Sequence, residues 1–183
     1  MNYREELQKH YEKCIAEVKH TQRAAKDIVG KSYENLRTSW IKENGLDVAT
    51  TQEKLYYNQI LGNKYNADQY IVDPKTRNLL AFEEDKGHYI DKCFAKRAII
   101  NAVEIINHCL KNNIKVPYFI LSCPTNFKFD DLLNEMGDIF REELYLLVKS
   151  KVKFFHSCDH GRTSRKKYLR EKRMPFVVEP KNI

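Results

Sequence analysis

The sequence lacks any run of eighteen consecutive apolar residues, so no membrane-crossing helix is expected. It also lacks a CxxC pair. Its five cysteines, Cys14, Cys93, Cys109, Cys123 and Cys158, are odd in number and scattered. That argues against a disulfide framework and for reduced thiols in a cytoplasm. There is no internal repeat, low-complexity tract or clear linker, so the 183 residues read as a single domain, long enough to bury a real core. Eleven tyrosines are present, yet no RNP-type stacking platform is formed from them. The opening residues, MNYREE, are charged and then amphipathic, and no secretory signal is expected there.

Positive charge is abundant but unevenly spread. The chain carries a formal charge of +7, and residues 151–174 alone hold nine lysines or arginines against two acids. The remainder is therefore close to neutral. A concentrated basic segment points to a polyanion, nucleic acid first. A solvated basic tail has the same composition.

Periodicity sets the expected elements. Residues 3–28 read as a helix on the spacing of Tyr11, Cys14, Ile15, Val18 and Ala25, with Gly30 as its stop. A second helix is expected over 33–43, carrying Leu36, Trp40 and Ile41, and a third from Thr51 to about Leu61. The pattern then changes. Tyr70-Ile71-Val72 reads as a strand, Asp73 to Asn78 as a turn, and Leu79 to Lys86 as the returning strand. A strong helix follows over 91–111, with Phe94, Ala98, Ala102, Ile105, Ile106 and Cys109 on one face. Val116–Ser122 suits a buried strand, residues 130–149 a helix, and Val152–Phe155 a last strand. The order predicts an α/β or α+β domain, a central mixed sheet flanked by helices. The helical part spans 1–64, a core 65–123, and the basic segment 151–174.

The returning strand poses a chemical question, because Leu79-Leu80-Ala81-Phe82 runs directly into Glu83-Glu84-Asp85-Lys86. Alternation along a strand puts Glu84 and Lys86 on one face and Glu83 and Asp85 on the other. Asp73 ends the partner strand, and the hairpin is expected to fold it beside Glu84. Two carboxylates beside a lysine suit Mg²⁺, a hard ion that takes oxygen ligands and leaves room for water and phosphate. The lysine can orient or deprotonate a water, or stabilise developing negative charge. The pair Glu83 and Asp85 can also hold a metal, but leaves Lys86 on the wrong side.

Asp73 followed by Glu84-Asp85-Lys86, on the two strands of a hairpin, resembles the D…(D/E)xK signature of the PD-(D/E)xK nucleases. This superfamily includes type II restriction endonucleases and Holliday-junction resolvases. The resemblance spans residues 65–123. It implies a restriction-endonuclease-like core, with Asp73 and Glu84 ligating Mg²⁺, the backbone carbonyl of Asp85 adding a ligand, and Lys86 serving the water. It further implies an endonuclease that hydrolyses double-stranded DNA, with a type II restriction enzyme as the leading expectation. A structure-selective nuclease and a non-catalytic nucleic-acid-binding domain are the alternatives. The proline here follows the aspartate instead of preceding it. Some family members add an acid from an early helix, for which Glu34 is a candidate.

Other residues join the expected site. Arg162, Thr163, Ser164, Arg165, Lys166, Lys167 and Arg170 combine cations and hydroxyls suited to DNA contact. Lys75 and Arg77 in the turn can approach a phosphate, and His88 a phosphate or a base. His156, Cys158 and His160 do not have the spacing of a standard zinc finger. Cutting both strands of a duplex needs two active sites, so a homodimer is expected.

Overall fold

The chain folds around a five-stranded mixed sheet flanked by helices, an α+β architecture. The computed structural model describes residues 6, 9, 13, 25–62, 66–86, 91–123, 129–137, 140 and 142–156. In chain order the elements are α1 (Ala25–Glu43), β1 (Asp47–Val48), α2 (Thr51–Ile60), β2 (Gln69–Val72), β3 (Leu79–Asp85), α3 (Lys92–Lys111), β4 (Tyr118–Cys123), α4 (Phe129–Glu135), α5 (Glu142–Lys151) and β5 (Val152–His156). Spatial order follows chain order. β1, β2 and β3 form an antiparallel meander, and β3, β4 and β5 are parallel. The parallel pairs follow from the helices between their strands, since parallel neighbours need a long crossover. None of the described helices is long and apolar enough to cross a membrane.

The two faces of the sheet are built differently. One is apolar: Tyr70, Val72, Phe82, Phe119, Leu121 and Val152 pack in a single cluster with Ala95, Ile99, Ala102 and Ile106 of α3. Phe82 meets Tyr70 edge-on at 4.7 Å and stacks on Phe119 at 5.5 Å. Burying each large side chain of this kind contributes about 1.5–3 kcal/mol. α3 is the element with the clearest helical periodicity. Its start is fixed by Asp91, which accepts from the Phe94 N–H at 2.8 Å.

The opposite face is covered by α1 and is polar. The buried stripe of α1 is Tyr33, Arg37 and Ile41, each fully buried. The Arg37 guanidinium grips the Glu83 carboxylate with Nε on Oε1 and Nη2 on Oε2, the latter at 2.8 Å. Tyr33 and Ser122 join their hydroxyls at 2.7 Å, and Gln69 donates to Thr38 Oγ1 at 2.9 Å. Asp85 lies beside this group, buried, with Oδ1 4.0 Å from Arg37 Nε. Burial, reinforced by the Glu83 charge, pushes the Asp85 carboxyl well above the usual aspartate range.

Two expected elements change and one short strand is added. α1 continues through Gly30 rather than stopping there. A mid-helix glycine costs only about 1 kcal/mol, and the helix is held by tertiary contacts further along. Among the described residues of the expected 3–28 helix, Glu6, Lys9 and Lys13 are helical, and 25–28 form the first turn of α1. The expected 130–149 helix is two, α4 and α5, with Gly137 in the break. β1 pairs only two residues and has no detectable alternation in the sequence.

The buried ion pair yields two expectations. Replacing Arg37 by Met leaves the Glu83 carboxyl enclosed without its partner, and is expected to cost about 3–5 kcal/mol in urea denaturation. The double change Arg37→Met with Glu83→Leu should recover most of that loss. For Asp85, the folded protein retains a proton that the unfolded chain releases above the ordinary value of 3.8. Stability therefore falls as pH rises from there toward the raised folded value, by up to about tenfold in the folding equilibrium per pH unit. Asp85→Asn should abolish that slope and raise the melting temperature at pH 8, as thermal scans across pH would show.

Candidate active site

The four charges at the end of β3 are not its wet end. Glu83 and Asp85 turn under α1, as the alternation requires, and are 0% and 3% exposed. Glu84 and Lys86 turn to the α3 side. Strand geometry persists through Lys86, whose N–H donates to the Ser122 carbonyl at 2.8 Å and prolongs the pairing with β4.

The hairpin brings Glu84 an acid, but not the expected one. Pairing runs Gln69 opposite Glu83, Tyr70 opposite Phe82 and Ile71 opposite Ala81. One step further along the same register, the partner of Glu84 is Asp68. Its Oδ2 accepts from the Lys86 ammonium at 3.2 Å and from the Asp85 N–H at 2.8 Å. Lys86 Nζ is also in contact with Glu84 Oε1 and lies 3.2 Å from the Asp85 carbonyl oxygen. One ammonium is thus ringed by two carboxylates and a backbone carbonyl. All three side chains are partly buried: 24% exposed for Asp68, 14% for Glu84 and 21% for Lys86. Burial alone would push the Lys86 ammonium down, but Glu84 and Asp68 outweigh it and the net direction is up.

Asp73 sits at the opposite end of the hairpin. Its N–H bonds the Asn78 carbonyl at the turn, so Glu84 lies six residues further along the partner strand, about 20 Å away. Its carboxylate accepts from Lys75 N–H, Thr76 N–H and Thr76 Oγ1 at 2.7–3.0 Å. These bonds hold the carboxyl below the usual range, the Thr76 N–H first. Asp73 is a turn-forming residue, the ordinary use of aspartate in that position, and the expectation that it faces Glu84 is corrected. Arg77 is engaged as well. It adopts a left-handed backbone with φ of 58°, its guanidinium bridges Glu53 at 2.8 Å and Asp47 at 2.6 Å, and its carbonyl accepts from Tyr57 Oη. Its hydrogen bonds hold the Glu53 carboxyl down at about 2. Lys75 is exposed in the turn. Glu34 pairs with Lys31 at 3.1 Å on α1, on the other side of the sheet from Glu84. His88, Arg162, Thr163, Ser164, Arg165, Lys166, Lys167 and Arg170 lie outside the described residues, as do Cys158 and His160.

Two residues unforeseen in the sequence complete the picture. Equal steps counted outward from the turn would put Ala67 opposite Glu84; a register shift between Ile71 and Val72 brings Asp68 there instead, and no local pattern in the sequence announces that shift. Lys54 of α2 donates to the Asp68 carbonyl at 2.9 Å and lies 5.2 Å from the Tyr70 ring centre; only the fold brings it there. Beside Glu84 a pocket opens between α3 and the sheet, enclosing about 480 Å³ out to its mouth. Among the described residues lining it, Glu84 is the charged one; Ala98, Ala102, Ile105 and Phe119 supply apolar wall.

The donor set suits a hard divalent cation. Asp68 Oδ2, Glu84 Oε1 and the Asp85 carbonyl already converge on a cation, the lysine's own, and all are oxygens of the kind Mg²⁺ prefers. Among the described residues no cluster of three or more His, Cys, Asp or Glu side chains forms a metal site. An ion held here would complete its shell with water and substrate oxygen, as Mg²⁺ commonly does. Comparison with known proteins finds no matching family model, no matching curated protein and no matching solved structure.

Proposed function

We propose that the chain is a Mg²⁺-dependent nuclease of the PD-(D/E)xK kind, acting on double-stranded DNA, with its acid pair formed by Asp68 and Glu84. The observation that carries this reading is the convergence of Asp68, Glu84 and the Asp85 carbonyl on the Lys86 ammonium. A hairpin that ends in ExK, next to a parallel strand reached through a helix, supports a restriction-endonuclease-like core.

In this reading Asp68, Glu84 and the Asp85 carbonyl hold the ion. Bound Mg²⁺ would neutralise the paired carboxylates and polarise a phosphoryl oxygen. Lys86 orients the attacking water or stabilises charge developing on the phosphate. Lys54 fixes the Asp68 backbone, and α3 keeps bulk water from one side of Glu84. Asp85, enclosed under α1, contributes only its carbonyl. The basic segment, through Arg162, Thr163, Ser164, Arg165, Lys166, Lys167 and Arg170, grips the DNA backbone. Two copies acting as a homodimer would cut both strands. Free Cys93 and Cys109 suit a reduced, cytoplasmic setting.

The test is conversion of supercoiled plasmid and mixed-sequence duplex in Mg²⁺ and in EDTA. Wild type is expected to cut only with Mg²⁺. Lys86→Ala should lose roughly 10²- to 10⁴-fold in rate, with Asp68→Asn and Glu84→Gln similarly impaired. Asp73→Asn should cut like wild type, with a slightly lower melting temperature. Full activity in Asp68→Asn would overturn the assignment. DNA binding that persists in EDTA, with no cutting of any substrate, would mark a binding domain instead.

A further inference from the structure

The Lys86 ammonium and a divalent ion would compete for one set of oxygens. Nζ lies 3.2 Å from both Asp68 Oδ2 and the Asp85 carbonyl, and touches Glu84 Oε1. Mg²⁺ would draw the same atoms to about 2.1 Å. An ammonium left in place would then stand in contact with a doubly charged ion inside a partly buried pocket, where like charges repel strongly. Without any cation, the two carboxylates would repel each other in the same way. The position therefore holds one cation at a time.

We propose that Lys86 is an internal counter-ion: in the metal-free protein it fills the place between Asp68 and Glu84, and entry of a divalent ion expels it toward the substrate. The proposal rests on the reading of this cluster as the metal site. The expelled side chain has a surface to follow, because Nζ already lies 5.5 Å from the centre of the Phe94 ring at the start of α3, within range of a cation–π contact. Two consequences follow by linkage. Metal affinity is lowered by the cost of displacing Lys86. A phosphate that attracts the displaced ammonium makes the metal bind more tightly, and the metal in turn tightens the phosphate by the same factor. Ion and DNA thereby each favour the binding of the other.

Two measurements test this. In the first, surface amines of the wild-type protein are acetylated briefly, with and without saturating Mg²⁺, and Lys86 is followed by peptide mass spectrometry. Its modification should rise several-fold with Mg²⁺, while exposed Lys75 and Lys149 stay constant. In the second, Mn²⁺ binding is measured by electron paramagnetic resonance for wild type, Lys86→Met and Asp68→Asn, with folding checked by circular dichroism. Lys86→Met should bind about tenfold more tightly than wild type, and Asp68→Asn should lose binding. If Lys86→Met does not fold, the labelling of wild type decides alone. Mn²⁺ binding by wild type with Lys86 labelling unchanged by Mg²⁺ would overturn the counter-ion while leaving the metal site standing. No Mn²⁺ binding by any folded version would overturn the metal site, and the counter-ion with it.

Discussion

Everything in this molecule depends on how four consecutive charges are divided between the two sides of one strand. β3 delivers Glu83 and Asp85 to one face and Glu84 and Lys86 to the other. Such a division is stable only if each side is separately neutralised, because isolated charges are very costly away from water. Under α1 the work falls to Arg37, paired with Glu83, and to a carboxyl on Asp85 whose burial favours the protonated form. On the other face Lys86 serves both Asp68 and Glu84. A slip of one residue would exchange the two sets and put the Lys86 ammonium under α1 in the place of Asp85. The buried pair thus fixes the register that presents the site.

Most of the architecture was legible in the sequence, and the reasons are specific. α3 was plain because its apolar residues recur at helical spacing over twenty positions. β4 was plain because buried parallel strands are short and largely apolar, whereas β5, at the sheet edge with Lys153 exposed, rests on Val152, Phe154 and Phe155 in its sequence. The body of α1 over 33–43 was legible, but its start was not, because Gly30 reads as a helix stop and the helix runs through it. The break between α4 and α5 at Gly137 was hidden by a run of leucines that fits one helix as well as two.

The site was legible in half. Glu84 and Lys86 share a face for reasons of strand period alone, and the structure places them in contact. The second acid does not follow from the hairpin alone: the residue beside a turn faces the turn's other flank, never the far end of the partner strand, and the register shift between Ile71 and Val72 decides which residue meets Glu84. Asp73 had its own local explanation in the turn it caps. Lys54 and the α3 wall belong to tertiary structure, and no local pattern announces them.

The charged groups Lys54, Asp68, Glu84 and Lys86 all come from one short stretch of chain, joined by α2 and the β2–β3 hairpin. Closing such a stretch costs little chain entropy compared with contacts between distant segments. The electrostatic centre is therefore a low-contact-order unit, whereas α4, α5 and β5 supply support from remote parts of the chain. Changes in those later elements act on the global folding equilibrium, and leave the internal geometry of the charge cluster to the hairpin that carries it.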